Sequence, residues 1–336
     1  MNMKYALMAS LIIVLILLSL SYLLTYYKAG TAAHTNQKFS QSFCLNAAQN
    51  STAMDAAVDN GINCFRTDIS FNKSEIGFIA NRSESGAHYL GILDYQTVGA
   101  QPSPSGCISG CNWTLADWNA SVSNAIAAYP EINTWEIWNE PLVGIFSSGY
   151  ENGSALNYFN MIKSAYTIIK SSEPNSTVVC FGGADFSDAD FQFYSQVWSY
   201  GASSYCDAIS IHVYTDPYYN LNQTIYGQTT LGQEFNFALN SYENLTEKPI
   251  WITETGIPSN NGTGWTNLSE QRQASFLTED LNFFASYPFV RRIYWFHLVG
   301  YAGGSDYGLL NATTMNPQPA WYSFIGFVHS STNSNR

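Results

Sequence analysis

Thr134-Trp135-Glu136-Ile137-Trp138-Asn139-Glu140-Pro141 reads as a short β-branched and aromatic strand over Thr134 to Asn139, ended by proline. Its Asn-Glu-Pro tail leaves an amide and a carboxylate at the strand's C-terminal end. By the period-two rule Glu136, Trp138 and Glu140 share one face, so all three are expected to point inward. A second stretch, Ile250-Trp251-Ile252-Thr253-Glu254-Thr255-Gly256, ends in the same way with Glu254.

Working outward, similar strands recur at Phe39 to Leu45, Ile62 to Phe71, Tyr89 to Tyr95, Thr177 to Gly182, Ala208 to Tyr214, Pro249 to Thr253 and Arg292 to Phe296. Helical patterns fill the gaps, at Thr52 to Asp59, Ser74 to Asn81, Thr114 to Ala128, Gly153 to Ser172, Asp188 to Ser199, Gly232 to Glu243, Ser269 to Ser286 and Ala320 to Val328. Ser74 to Asn81 has the weakest pattern. Eight alternating units predict an α/β fold, a single (β/α)8 TIM barrel over residues 39–330. Helix-to-strand connections are short and strand-to-helix connections long, which puts the variable loops on the C-terminal face, where barrel active sites lie.

Ahead of the barrel, Tyr5 to Tyr27 carries no charge, so residues 1–27 are expected to form an N-terminal transmembrane anchor or signal segment. Residues 28–38 read as a polar linker and 331–336 as a polar tail. Lys4 against Lys28 favours a barrel outside the cell, anchored on the extracellular face of the membrane, or secreted if the segment is cleaved. Twelve Asn-x-Ser/Thr sequons suit a glycosylated exterior, although Asn, Ser and Thr are simply abundant here. Six cysteines suit an oxidising compartment. With 11% charged residues and a net charge of −12, nucleic acid is excluded as a partner, and the sparse charge suggests an acidic habitat. No Cys/His cluster has metal-ligand spacing and no phosphate loop occurs, so neither metal nor cofactor is expected.

Two acids on separate strand ends of a rigid barrel suit glycoside hydrolysis, where one protonates the leaving oxygen and the other attacks or activates water. The alternative for either Glu alone is that it caps a helix or pairs with an arginine. The pair resembles the clan A glycoside hydrolases, and the resemblance covers the chain from first strand to last. It implies a retaining mechanism with Glu140 as general acid/base and Glu254 as nucleophile. Asn139 matches the clan residue that binds the sugar 2-hydroxyl, and Arg66 the arginine that steadies the nucleophile, with Asp68 on the same strand face and Glu136 as a buried partner of Arg66. His212 resembles the histidine near the acid/base, and Tyr214 the tyrosine bonded to the nucleophile; a purely structural His212 is the alternative.

Trp295 matches the aromatic platform beneath the sugar, with a cis peptide expected at Trp295-Phe296; a core tryptophan is the alternative. One departure is Asp94, standing where many members carry a histidine at the end of strand three. Trp113, Tyr218, Tyr219, Trp265, Tyr301 and Tyr307 suit a groove for several sugars, half of them by packing alone. The implied substrate is an extracellular poly- or oligosaccharide, cut internally as in the cellulase and β-mannanase families. A β-xylosidase-like exo enzyme and a non-catalytic glycan-binding barrel are the alternatives, and a monomer is expected. Adjacent strands predict Cys44–Cys64 and Cys180–Cys206 bridges, with Cys107–Cys111 closing a small ring.

Overall fold

The computed structural model describes residues 42–47, 50–103, 106–110, 112–143, 150, 153–215, 221–222, 224–225, 229–259, 268–300 and 306–333. The expected N-terminal segment, linker, Cys111 and the loop residues Tyr218, Tyr219, Trp265 and Tyr301 lie outside these. Among the described residues, no helix is long and apolar enough to cross a membrane.

Eight parallel strands close a barrel in sequence order: β1 (Ser42–Asn46), β2 (Cys64–Asp68), β3 (His88–Leu93), β4 (Thr134–Ile137), β5 (Thr177–Ala184), β6 (Ala208–Tyr214), β7 (Ile250–Gly256) and β8 (Val290–Trp295), with β8 pairing back to β1. Each is followed by a helix: α1 (Ser51–Asp59), α2 (Lys73–Glu84), α3 (Leu115–Ala128), α4 (Ala155–Ser172), α5 (Asp188–Ser199), α6 (Leu231–Thr246), α7 (Glu270–Ala285) and α8 (Pro319–Asn333). The expected (β/α)8 architecture is therefore observed, α2 included.

The helices begin where side-chain oxygens can take up otherwise unpaired N–H groups. Asn50, Asn72, Ser154, Ser187 and Ser269 cap α1, α2, α4, α5 and α7. Thr114 with Asp117, and Thr230 with Gln233, form reciprocal capping boxes on α3 and α6. This gives part of the sequon pattern a structural account, since Asn50, Asn72, Thr114, Ser154 and Ser269 all belong to sequons and all cap helices. The main core lies between barrel and helices and includes Trp118, Tyr158 and Phe284.

A second cluster fills the lower bore: Cys44, Cys64, Leu90, Val179, Ala208, Trp251 and Tyr294. Cys44 and Cys64 are bonded across β1 and β2 with a Cα separation of 4.9 Å. Cys180 and Cys206 are bonded with a Cα separation of 5.7 Å. Both pairings agree with the sequence. The Arg292 guanidinium lies 4.1 Å over the Trp251 ring, so the base of the bore is plugged and any chemistry must occur above it.

Candidate active site

The inward alternation of the plugged bore continues upward into polar residues. On β2, Cys64 is followed by Arg66 and Asp68; on β6, Ala208 is followed by Ser210, His212 and Tyr214. β7 departs from this alternation. Ile252 pairs with Ile211 but Glu254 pairs with His212, so one extra residue, Thr253, is inserted against β6. A bulge of this kind re-aims the residues after it. Thr253 donates to Glu136 Oε1 at 3.0 Å, and Glu254 is turned into the bore as well.

Arg66 is 2% exposed and organises the floor of the site. Its Nε donates to Glu136 Oε2 at 2.6 Å and its Nη1 to Glu254 Oε1 at 2.5 Å. Nη1 also reaches Asn46 Oδ1 at 3.1 Å, and Nη2 reaches Asn139 Oδ1 at 2.8 Å. The Tyr214 hydroxyl donates to Glu254 Oε2. Burial alone would push the Glu254 carboxyl up; the charges of His212 and Arg66, with hydrogen bonds from Tyr214 and Arg66, outweigh it and hold Glu254 below the usual carboxylate range. Burial and the Glu254 charge raise Tyr214 well above its ordinary value, which keeps it a donor.

Glu140 stands across the bore. Its Oε1 lies 2.7 Å from His212 Nδ1, while His212 Nε2 lies 3.7 Å from Glu254 Oε1. Its backbone is held at φ 45° by a hydrogen bond from its N–H to Gly182 O. Phe181, Gly182 and Gly183 all have positive φ and form an irregular step in β5. The His212 ring packs against Gly183, where an added Cβ would stand 2.3 Å from it. One oxygen of Glu140, one nitrogen of His212 and one oxygen of Glu254 lie within 4.8 Å of one another. Three such donors could in principle hold a metal ion, but the Arg66 guanidinium already neutralises Glu254.

The structure thus brings together Glu140, Glu254, Asn139, Arg66, His212, Tyr214 and Asp68. It corrects two tryptophans. Trp295 is fully buried with its Nε1 bonded to Tyr307 O at 3.0 Å, because Tyr294 fills the bore and the next residue must face the helices. The aromatic ring beside the site belongs to Phe296, packed edge-on to Tyr214 at 6.0 Å and Tyr307 at 5.7 Å. The cis peptide falls one residue later than expected, at Phe296-His297. Trp138 also faces outward, since β4 ends at Ile137 and φ of 70° swings its side chain onto Trp113 and Trp118. Trp113 is accordingly a packing residue.

Sequence reasoning missed Asn46, Gly183, Ser210 and Phe296. Gly182-Gly183 at a strand end was a readable sign of close backbone approach, and Phe296 follows Tyr294 by alternation. Ser210 bridges the step in β5, accepting from Gly183 N and donating to Cys180 O.

Residues 160–322 match the family model described as glycosyl hydrolase catalytic core. That match spans just under half of the chain. Among solved structures, the chain resembles a family 39 glycoside hydrolase from Bacteroides cellulosilyticus WH2, with TM-score 0.61, 17% identity, 89% of this chain covered and 65% of that one. A Bifidobacterium dentium β-glucuronidase, complexed with coumarin-3-O-glucuronide, matches at TM-score 0.56 and 17% identity, over 83% of this chain and 43% of that one. An endo-β-1,3-glucanase of family 128 from Amycolatopsis mediterranei, in complex with laminaripentaose, matches at TM-score 0.53 and 18% identity, covering 85% of this chain and 98% of that one. The chain thus spans less than two thirds of the first two relatives and nearly all of the third. No curated protein matches the chain. The barrel fold agrees with the clan A resemblance read from the sequence, and the matched family model describes the same enzyme class.

Proposed function

We propose that the protein is a glycoside hydrolase that cleaves β-glycosidic bonds of an extracellular poly- or oligosaccharide with retention, acting internally on β-glucan or β-mannan. The observation that carries this reading is the approach of the two carboxylates, with oxygens of Glu140 and Glu254 within 4.8 Å. Retaining enzymes hold their carboxyl groups about 5–5.5 Å apart, whereas inverting ones leave about 6.5–9.5 Å for a water. In this mechanism Glu254, kept ionised by Arg66 and Tyr214, attacks the anomeric carbon. Glu140 protonates the departing oxygen, then deprotonates the water that releases the sugar. Asn139, oriented by Arg66, receives the 2-hydroxyl, and Phe296 supplies the apolar surface beneath the ring.

Internal cleavage is supported by the likeness to the Amycolatopsis endo-glucanase, 98% of which this chain covers. A cell-surface location, with residues 1–27 as anchor and 39–330 as catalytic domain, is supported by two disulfides, which persist in oxidising compartments. The test is to incubate residues 35–336 with β-glucan, β-mannan, xylan and aryl β-glycosides, following the first-formed anomer by proton NMR. Internal cuts yielding β-anomers are expected. An α-anomer product refutes retention, release of single xylose units supports the exo reading, and binding without turnover supports a non-catalytic barrel.

A further inference from the structure

On β2 the alternation that turns Arg66 into the bore does the same for Asp68, two residues later and one step nearer the mouth. Asp68 is half-buried, and the charges of Arg66, Glu254 and Glu136 all act on its carboxyl. Among the described residues, nothing donates to that carboxyl. The one side-chain hydrogen bond reaching Asp68, from Thr67 Oγ1 at 3.5 Å, ends on the backbone oxygen. Arg66 has five N–H groups. They meet Glu136, Asn46, Glu254, Asn139 and, at 3.5 Å, His212 Nε2, so none is left for Asp68.

The other acids at the strand ends are each engaged. Glu136 is held by Arg66 and Thr253, Glu254 by Arg66 and Tyr214, and Glu140 by His212. Asp94 accepts the Gln96 N–H at 2.8 Å, and its second oxygen is sealed off. The Asp68 oxygens, by contrast, are open to the bore. Burial and the charge of Glu254 raise the Asp68 carboxyl above the usual range in spite of Arg66, as expected of an acid to which nothing bonds. A partly desolvated carboxyl without donors is costly, and hydroxyls of a bound sugar would supply them.

We propose that Asp68 is a specificity-determining ligand of the sugar ring at the cleavage point, accepting hydroxyl hydrogens at C3 and C4. This rests on the proposed glycosidase site and names what that site reads. With C1 between Glu140 and Glu254, the 2-hydroxyl falls to Asn139, which Arg66 Nη2 holds at 2.8 Å. Asp68 stands one step above the same arginine, so the hydroxyls that follow round the ring, at C3 and C4, are those it meets. In a chain linked through one of these two oxygens, the other still carries a hydrogen for Asp68. Gluco and manno rings are identical at C3 and C4, so Asp68 serves both, whereas a galacto ring, inverted at C4, is disfavoured. A site built to bond a hydroxyl rejects the analogue that lacks it, because the protein group is left unpaired.

The test is a mutant cycle on the full chain, with kcat/KM measured for 2,4-dinitrophenyl β-glucoside and its 3-deoxy, 4-deoxy and 6-deoxy analogues. The unaltered protein should lose about 10- to 100-fold on the 3-deoxy or 4-deoxy compound, the range for a hydrogen bond to a charged group. In Asp68→Ala the parent glucoside should slow by about that factor, and the penalty for the missing hydroxyl should shrink to about threefold or less. Asp68→Asn, which keeps one acceptor and the same shape, should recover part of both effects. The 6-deoxy penalty should be equal in all three proteins, as a merely structural fault would also make it. A 3-deoxy and 4-deoxy penalty that persists in Asp68→Ala, or is absent from the unaltered protein, overturns the assignment while leaving a glycosidase. Inert aryl glucosides beside a glycan that is cut would place recognition on other rings and overturn it as well. If neither aryl glucoside nor glycan is cut, the glycosidase reading itself falls, and this inference with it.

Discussion

Replacing Tyr214 by Phe deletes a single oxygen, the one whose proton points at Glu254 Oε2. The ring is 38% exposed and lies at the mouth beside Phe296 and Tyr307, so its packing survives the change. A hydrogen bond to a charged group contributes roughly 1.5–3 kcal/mol. It acts on the ionised carboxylate and not on the protonated form, so its loss must raise the Glu254 pKa. At 1.36 kcal/mol per unit, the shift is about one to two units. Arg66 and His212 remain, so Glu254 still ionises by neutral pH. The acid limb of kcat/KM, which reports the free enzyme, should therefore move upward by about one to two pH units. The neutral-pH rate should fall less steeply than the rate at low pH, with the thermal midpoint little changed. Profiles on an aryl β-glycoside from pH 3 to 8, for both proteins, decide the matter. An acid limb that stays in place would show that Arg66 and His212 hold Glu254 as the anion without Tyr214, and would refute a part for the tyrosine in its ionisation.

Gly183→Ala would place a methyl 2.3 Å from the His212 ring at φ of 83°, forcing His212 away from Glu140; kcat should drop by about 100-fold, and unchanged kinetics would refute this close packing. Asp280 is buried against Thr215 and its carboxyl is pushed up to about 7, by burial above all. Since its folded pKa exceeds the unfolded one, its proton preference costs stability progressively between about pH 4 and 7, an upper limit of roughly 4 kcal/mol at neutrality. Asp280→Asn should therefore raise the denaturation midpoint at pH 7 and lose that gain below about pH 4; a gain that does not vary with pH contradicts this. Replacing both Cys180 and Cys206 by Ala opens a loop of sequence separation 26 and should lower stability by about 3–4 kcal/mol in denaturant titrations.

Alternation along strands makes much of the site legible in the sequence. Arg66 with Asp68, and His212 with Tyr214, follow from period two alone, and Glu136 as the Arg66 partner follows from its place below Glu140. The same rule misleads wherever a strand is not regular to its end. Trp138 reads as inward when the strand is carried on to Asn139, while the backbone turns after Ile137. Trp295 matches by residue type, but the bore has room for Tyr294, and the order of inward and outward residues moves the exposed aromatic to Phe296. The disulfides are readable because neighbouring strands in a sequential barrel are neighbours in the chain. Asn46 and Ser210 carry no such sign, being small polar residues whose partners lie on other strands.

One spare residue gives Glu254 a companion in the bore. With Thr253 in place, β7 offers two successive residues to the bore, the first meeting Glu136 and the second Arg66. Glu254 stands level with His212, an inward position of β6, so a relative that had lost a single residue between Ile252 and Glu254 would run regularly along β6 and still turn its glutamate into the bore. What such a chain would lose is the hydroxyl that donates to Glu136 at 3.0 Å. The buried acid that holds Arg66 would then lean on the guanidinium, and the loss would be felt in what steadies the nucleophile and not in where it points.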